Sequence, residues 1–355
     1  MNLNEEIGSM TPDELSLYIT EIGEKPFRAK QLFSWIHARQ VSSYHEMTNL
    51  PKKLRDYLAE EKPLHVPEAV RVVESERGDT KKYLFRLFDG NVIESVWMKH
   101  RHGNSVCISS QVGCNMGCRF CASTLDGCVR NLTAYEMLSQ VYTIAHMTGE
   151  RISNIDVMGS GEPLDNYDNL LRFLHLAGAE QGMNLSQRNV TVSTCGIVPK
   201  IRALADEHLQ ITLAISLHAS NDEKRQKLMP VAKRWSIEEL LDACRYYFDQ
   251  TGRRISFEYA LIAGENDTEQ CAEELAELLH GMNCHVNLIP VNPIRERNYR
   301  RSGRAAVAEF DKKLEKYGIN VTIRREMGAD IDGACGQLRR NYLTRSIEHE
   351  GLFCD

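Results

Sequence analysis

The segment from Cys107 to Cys121 reads Cys-Ile-Ser-Ser-Gln-Val-Gly-Cys-Asn-Met-Gly-Cys-Arg-Phe-Cys, which places four of the chain's eleven cysteines within fifteen positions. Three of them, Cys114, Cys118 and Cys121, have the spacing C-x3-C-x2-C. Soft thiolates are the usual ligands of iron-sulfur clusters, and a four-iron cube held by three of them keeps one iron for a ligand that is not protein. Zinc competes for the same thiolates and would add Cys107 or Cys128 to close a tetrahedron. Zinc sites usually present two C-x2-C knuckles, and one short pair exists here. Packed structural thiols are a third reading, but an apolar strand or helix would not interleave them with Gly113, Asn115, Gly117 and Arg119.

A second set of polar residues falls at the ends of apolar runs. Asp156-Val157-Met158 leads into Gly159-Ser160-Gly161-Glu162-Pro163, and later runs end in Ser193-Thr194, Ser216-Leu217-His218 and Asn292-Pro293. In parallel α/β folds the strand ends carry the active site, and small glycines let a ligand approach the backbone. A Ser or Asn at one turn is ordinarily a cap; four such ends on one mouth beside a cysteine cluster are a binding-site pattern. Cys335, in Gly333-Ala334-Cys335-Gly336, sits in a flexible setting unlike a packed helix.

Elements to position these residues are legible along the chain. Residues 1–62 read as helices: Thr11-Pro12-Asp13-Glu14 is an N-cap followed by Pro and acids, Ala29, Leu32, Phe33 and Ile36 mark a second helix, and Leu54 and Leu58 a third. Phe27, Phe33 and Trp35 are expected in the core. Residues 63–100 form a β-rich connector, an antiparallel meander broken at Gly78-Asp79 and Asp89-Gly90-Asn91. Glu94 lies in an otherwise apolar strand there, which on pattern alone reads as edge protection. From 101 to 343 strands near 105–110, 153–158, 189–194, 210–217, 254–261, 284–290 and 320–325 alternate with helices, leaving a tail at 344–355. Helices open at Thr133 with Glu136 and at Asp267 with Gln270, and a third carries Val307, Phe310, Leu314 and Tyr317 and closes on Gly318. Six strand-helix units are too few for an eight-fold barrel and fit either a smaller barrel or an open doubly wound sheet.

With 355 residues, 42% of them hydrophobic, the chain can bury a full core. It shows neither a leader pattern nor an apolar run long enough for a membrane, so a cytoplasmic location is expected and its cysteines are expected as thiols. A net charge of -6 argues against a generally basic nucleic-acid binder. Basic clusters at Arg295, Arg297, Arg300, Arg301 and Arg304, at Arg324-Arg325 and at Arg339-Arg340 leave room for a local RNA footprint or for solvated faces.

The cysteine loop with Phe120 before its last cysteine resembles the radical S-adenosylmethionine (radical SAM) enzymes. The wider set, adding Arg130-Asn131-Leu132-Thr133, Gly159 to Leu164, Ser216-Leu217-His218 and Asp332 to Leu338, is similar to the RlmN and Cfr family of RNA adenine methyltransferases, from Gly23-Glu24-Lys25-Pro26-Phe27-Arg28 onward. The resemblance implies a partial (β/α)6 radical SAM barrel with a small helical N-terminal domain and a short β meander. It implies a 4Fe-4S cluster on Cys114, Cys118 and Cys121, and S-adenosylmethionine, two per turnover, contacted by Gly161, Glu162, Ser193, Ser216, Leu217, His218 and Asn292. It further implies that Cys335 is methylated and attacks carbon 2 of an adenine as a carbon radical, that Glu94 accepts the ring proton, and that Cys107 closes a disulfide with Cys335 to release the product. The implied substrates are 23S ribosomal RNA near the peptidyl-transferase centre and adenosine 37 of tRNA. The implied partners are an electron donor such as flavodoxin or ferredoxin and no membrane, with the protein a monomer. Pro163 resembles the carbon-2 group rather than the Cfr-type carbon-8 enzymes that give antibiotic resistance. A radical SAM activase, or a zinc-stabilised RNA-binding module without catalysis, are readings from other classes. Lys25, Arg28 and Lys30 as RNA contacts come from the resemblance alone, and Cys354 could also deliver a thiol.

Overall fold

The computed structural model describes residues 6–294, 296–324, 331, 338–340 and 342. Cys335 and the rest of 332–337, Arg295, Arg325, Cys354 and the tail 344–355 lie outside the described residues. Thr11 opens α1 (Pro12–Glu21) through a capping box, its hydroxyl accepting from the Glu14 amide while the Glu14 carboxylate accepts from the Thr11 amide at 2.8 Å. Helix α2 (Phe27–Phe33) runs into a π turn, Ser34–Ala38, that buries Trp35, Ile36 and His37, and α3 (Lys52–Glu61) buries Leu54 and Leu58. Phe27, expected in the core, is 49% exposed, because the buried stripe of α2 runs through Ala29, Leu32 and Phe33 and leaves its first residue facing outward beneath the Arg28 guanidinium.

The strands then form one ten-stranded sheet. β1 (Glu68–Glu74), β2 (Thr80–Arg86) and β3 (Val92–His100) are the antiparallel meander, and β4 (Gly103–Cys107) pairs antiparallel to β3. β5 (Gln111–Gly113) and β6 (Cys128–Asn131) make a separate hairpin, followed by α4 (Ala134–Thr148). β7 (Ile152–Val157), α5 (Tyr167–Gly178), β8 (Val190–Thr194), α6 (Val198–Asp206), β9 (Thr212–Ser216), α7 (Asp222–Leu228), α8 (Ile237–Thr251), β10 (Ile255–Leu261), α9 (Glu269–Leu278), β11 (Cys284–Pro290), α10 (Arg304–Lys316) and β12 (Val321–Ile323) follow. β4 and β7 to β12 are all parallel neighbours, so six strand-helix units wind in chain order into a partial barrel.

Alternation along each parallel strand separates two surfaces. Ile155 and Val157, Val190 and Val192, Leu213 and Ile215, Phe257 and Tyr259, and Val286 and Leu288 are buried in the main core with the helices. Each such side chain contributes roughly 1.5–3 kcal/mol when removed from water. The intervening residues, Cys107, Asp156, Thr191, Ser193, Ser216, Glu258 and Asn287, share the opposite, lumen face, which is polar.

Three details differ from the sequence pattern. The cap of α9 is Thr268, whose hydroxyl accepts from the Cys271 amide, while Asp267 accepts from Gly264 and Ser302. Tyr317 falls just past α10 and is 44% exposed, because Val307, Phe310 and Leu314 already complete its buried stripe. β3 is not an edge: Glu94 pairs with Leu84 of β2, and its carbonyl accepts from the Ser109 hydroxyl at 2.7 Å on the other side.

The N-terminal helices dock on α4 and α5. The Ser9 hydroxyl accepts from the Tyr135 amide at 3.0 Å, His37 meets the Tyr142 hydroxyl at 3.0 Å, and the Arg172 guanidinium donates to the Ser9 carbonyl at 3.1 Å. At the centre the Thr133 hydroxyl donates to the buried Glu6 carboxyl at 2.6 Å. Burial pushes that carboxyl up to about 7, with Glu136 adding repulsion. Its ordinary value is 4.5, so between these limits the folded chain keeps a proton that the unfolded chain releases, and stability falls as pH rises. Glu6→Gln keeps the hydrogen bonds without the charge. Thermal unfolding should therefore leave the variant near wild type at pH 5 and more stable at pH 8 by on the order of 2 kcal/mol. Equal melting temperatures at pH 8 would count against a costly buried carboxylate.

Candidate active site

The cysteine loop is the tip of the β5–β6 hairpin. Its neck is closed by the Cys114 amide donating to the Gly127 carbonyl at 2.9 Å and the Cys128 amide donating to the Asn115 side chain at 2.8 Å. Gly113 has φ +81°, and a Cβ there would lie 2.0 Å from the Gly127 carbonyl oxygen, so the neck admits only glycine. Arg130 of β6 ties the neck to its surroundings, holding both Glu136 oxygens at 2.7 and 2.8 Å and Asp89 at 2.6 Å. Within the loop the Thr124 hydroxyl donates to the Cys118 and Cys121 carbonyls, and the Arg119 amide donates to the Leu228 carbonyl at the end of α7.

Cys118 and Cys121 lie in one sulfur-rich apolar region, with buried Cys114 near Cys121. Cys118 packs with Cys195, Leu228, Met229, Ile262 and Val291, against Met116, Phe120 and Cys121. Burial pushes the Cys114 thiol up to about 12 and the Cys118 thiol well above its ordinary value, with Cys121 next to both adding repulsion. Such thiols stay protonated until a metal takes the place of the proton. Three soft thiols on one short loop are the donor type that an iron-sulfur cluster takes. The donor set fits the iron-sulfur cluster.

Beside the loop, Ser109-Ser110-Gln111 is zipped to Ser160-Gly161-Glu162. The Ser160 amide donates to the Ser109 hydroxyl at 3.0 Å, the Ser160 carbonyl accepts from Ser110 and Gln111, and the Glu162 amide donates to the Gln111 side chain at 2.8 Å. Gly161 has φ +110°, and a Cβ there would sit 2.7 Å from Ser110 Oγ. The hydroxyls of Ser110 and Ser160 are buried without a hydrogen-bond partner among the described residues. Unused buried hydroxyls next to a bare backbone suit a polar ligand. The Glu162 side chain is committed inside the protein, accepting from the Leu164 amide at 3.1 Å and the Cys195 amide at 2.7 Å, and burial raises its pKa.

Ser193 and Ser216 stand on the lumen face at the ends of β8 and β9, and Leu217 is fully buried. His218 adopts φ 56° and accepts at Nδ1 from the Ala260 amide at 2.9 Å, while its ring meets Phe120 edge-on at 4.9 Å. Burial, with Arg225 nearby, lowers its pKa to about 3, so the imidazole is neutral. Asn292 follows β11 on an exposed segment. The sequence-derived set thus gathers around the cysteine loop at the carboxyl ends of the strands, with Asn292 at the solvent side.

Glu94 and Cys107 occupy the lumen face of adjacent strands, where Val96, two residues after Glu94, pairs with Cys107, and Cys107 pairs with Asp156. One Glu94 oxygen lies 3.2 Å from the fully buried Lys82 ammonium, and the other accepts from the Arg339 amide. Arg339 also donates to the Val92 carbonyl at 2.8 Å, and Leu338 packs on Leu84 and Val92. Leu338 and Arg339 are therefore moored on β3 at Glu94. Arg225, buried behind the loop, was not singled out by sequence, because the charged and polar residues around it in Asp222 to Lys227 give no local sign that one of them is enclosed.

The ribosomal RNA large subunit methyltransferase N-terminal domain model matches residues 5–63, and the radical SAM superfamily model matches residues 108–279. A probable dual-specificity RNA methyltransferase RlmN of Lachnospira eligens is 61% identical over 98% of this chain and 99% of its own. The protein of the same name from Lachnoclostridium phytofermentans is 57% identical over 97% of each. The crystal structure of a radical SAM methyltransferase from Sphaerobacter thermophilus superposes with a TM-score of 0.91 at 44% identity, covering 94% of this chain and 98% of that one.

Gly113→Ala is expected to force the neck apart while leaving the distant helices intact. After anaerobic reconstitution the variant should hold several-fold less iron per chain than wild type at unchanged far-ultraviolet dichroism. A full iron complement would show that the neck does not govern the loop.

Proposed function

The chain belongs to the RlmN family of radical SAM methyltransferases, and from that premise we propose that it places a methyl group on carbon 2 of an adenosine in 23S ribosomal RNA and of adenosine 37 in tRNA. It is an RNA methyltransferase that uses a 4Fe-4S cluster and S-adenosylmethionine. Cys114, Cys118 and Cys121 would hold the cluster, and Gly161, Glu162, Ser193, Ser216, Leu217, His218 and Asn292 would line the S-adenosylmethionine site. When bound, that pair supplies one-electron cleavage of a carbon-sulfur bond, which permits attack on an aromatic carbon that is a poor nucleophile.

The chain's own residues then do the rest. Cys335 carries the incoming carbon as a thioether to the adenine ring. Glu94 accepts the proton displaced from that ring carbon. Cys107 attacks the Cys335 sulfur, closing a disulfide and releasing the methylated base, and reduction of the disulfide restores both thiols. Neutral His218 and the buried Glu162 hold the strand-end loops in place.

The observation that carries this reading is the placement of Arg339, four positions beyond Cys335 in the chain: its amide donates to Glu94, which shares the lumen face with Cys107. The target base would be unstacked to reach this mouth, so single-stranded or distorted RNA is the expected form. Exposed Arg297, Arg300, Arg301 and Arg304, with Lys25 just before α2 and Lys30 on it, would meet its phosphates; Arg28 instead donates to the Gln31 side chain and the Asn49 carbonyl. An external one-electron donor such as flavodoxin or ferredoxin, a monomeric state and a cytoplasmic location complete the proposal. No helix among the described residues is long and apolar enough to cross a membrane.

Anaerobically reconstituted protein incubated with S-adenosylmethionine, reductant and a 23S rRNA fragment should yield 2-methyladenosine on mass spectrometry of the digested nucleosides. Cys335→Ala should abolish that product, and Cys107→Ala should accumulate a protein-RNA adduct that survives denaturation. Formation of 8-methyladenosine would move the protein to the Cfr-type regiochemistry. Full activity of Cys335→Ala would remove the thioether route and favour an activase.

A further inference from the structure

By composition α7 is a surface helix, with Asp222, Glu223, Lys224, Gln226 and Lys227 around its single arginine. Arg225 departs from that pattern, since its side chain is fully buried. Its hydrogen bonds go to backbone carbonyls at the ends of two strands: Nη2 donates to Cys195 at 2.7 Å and to Ser216 at 3.4 Å, and Nε donates to Leu217 at 3.2 Å. Nη1 is buried without a hydrogen-bond partner among the described residues. A guanidinium removed from water and satisfied only by neutral carbonyls is costly unless an anion lies near it.

The groups around it identify that anion. Arg225 holds the carbonyl of Cys195, and the Cys195 side chain packs in one cluster with Cys118 of the cysteine loop, while Asp222 is the carboxylate near Arg225 on its own helix. Cys195 and Cys118 both belong to the apolar cluster that includes Leu228 and Met229, one helical turn beyond Arg225, where the Met229 amide donates to the Arg225 carbonyl at 2.7 Å, and the Arg119 amide of the cysteine loop donates to the Leu228 carbonyl at 2.9 Å. Gly117 of the same loop approaches Pro230 closely enough that a Cβ would lie 3.3 Å from its ring. The segment from Arg225 to Pro230 is therefore the floor on which the cluster loop rests.

We propose that Arg225 is the fixed counter-charge of the cluster: a positioning residue that clamps the ends of β8 and β9 against the cysteine loop and neutralises the Cys118 thiolate once it binds iron, raising the reduction potential. This rests on Cys114, Cys118 and Cys121 being the cluster ligands. Reduction adds one negative charge in a water-poor site, and a permanent cation there favours the reduced state. Arginine suits the task because it stays charged when buried and its planar fork bridges two strand ends, which a lysine cannot do.

The test uses full-length wild type, Arg225→Lys, Arg225→Gln and Arg225→Met, reconstituted anaerobically without S-adenosylmethionine. Iron and sulfide are counted, and the cluster potential is followed by electron paramagnetic resonance. A wild type that loads no cluster would overturn the ligand reading and this proposal with it. With a loaded wild type, the neutral variants should show a reduced-to-oxidised ratio at fixed poise about tenfold lower. Arg225→Lys should fall between, because its charge sits farther back. A wild-type potential in a loaded neutral variant overturns the proposal. Should neither neutral variant fold or load, Arg225→Lys decides: a lowered potential supports the proposal and an unchanged one overturns it. After the potentials are read, S-adenosylmethionine is titrated into each loaded protein: an unchanged potential with weakened binding of that ligand also overturns the proposal, and assigns the charge to the ligand's carboxylate.

Discussion

Burying anionic sulfur is the constraint to which the rest of this structure answers. Thiols as enclosed as Cys114 and Cys118 resist ionisation, so a cluster can be held there only if metal, backbone and neighbouring charge together offset the lost hydration. The hairpin neck answers part of that demand by fixing the loop before any ligand arrives. Gly113 and Gly127 both adopt positive φ, and their close approach leaves the loop little freedom.

The same sheet serves two environments. One face is apolar and covered by helices; the other carries Asp156, Glu258, Ser193, Ser216 and Asn287 into the lumen. Burial raises the pKa of both Asp156 and Glu258, and hydrogen bonds from Thr191 and Asn287 and the charge of Arg324 work against that rise. A lumen lined in this way is poorly suited to being filled by side chains and well suited to receiving a polar ligand.

Attachment of the N-terminal helices uses the cap of α4 twice over. Thr133 and Glu136 form its capping box, Thr133 also donates to Glu6, and Glu136 also holds Arg130 of the hairpin neck. The helix start is thus a joint between the N-terminal unit and the cysteine loop. Displacing either element would disturb the other through shared hydrogen bonds rather than through a change of fold.

Features that depend on near neighbours in the chain were readable from residue order. Thr11 with Glu14 and Thr133 with Glu136 cap helices because the partners are three residues apart, and six strand-helix units follow from the alternation of two periodicities. The C-x3-C-x2-C loop and the polar strand ends were readable for the same reason. What the sequence did not disclose involves residues distant in the chain. Glu94 looked like an edge acid and is an interior partner of Lys82 and Arg339; Arg225 was not singled out and is a fully buried charge behind the loop; Phe27 looked buried and faces water. Local order sets which turns and faces a segment can form. Which face meets which partner is decided when the sheet closes, because burial and charge pairing are properties of the assembled neighbourhood and not of any one segment.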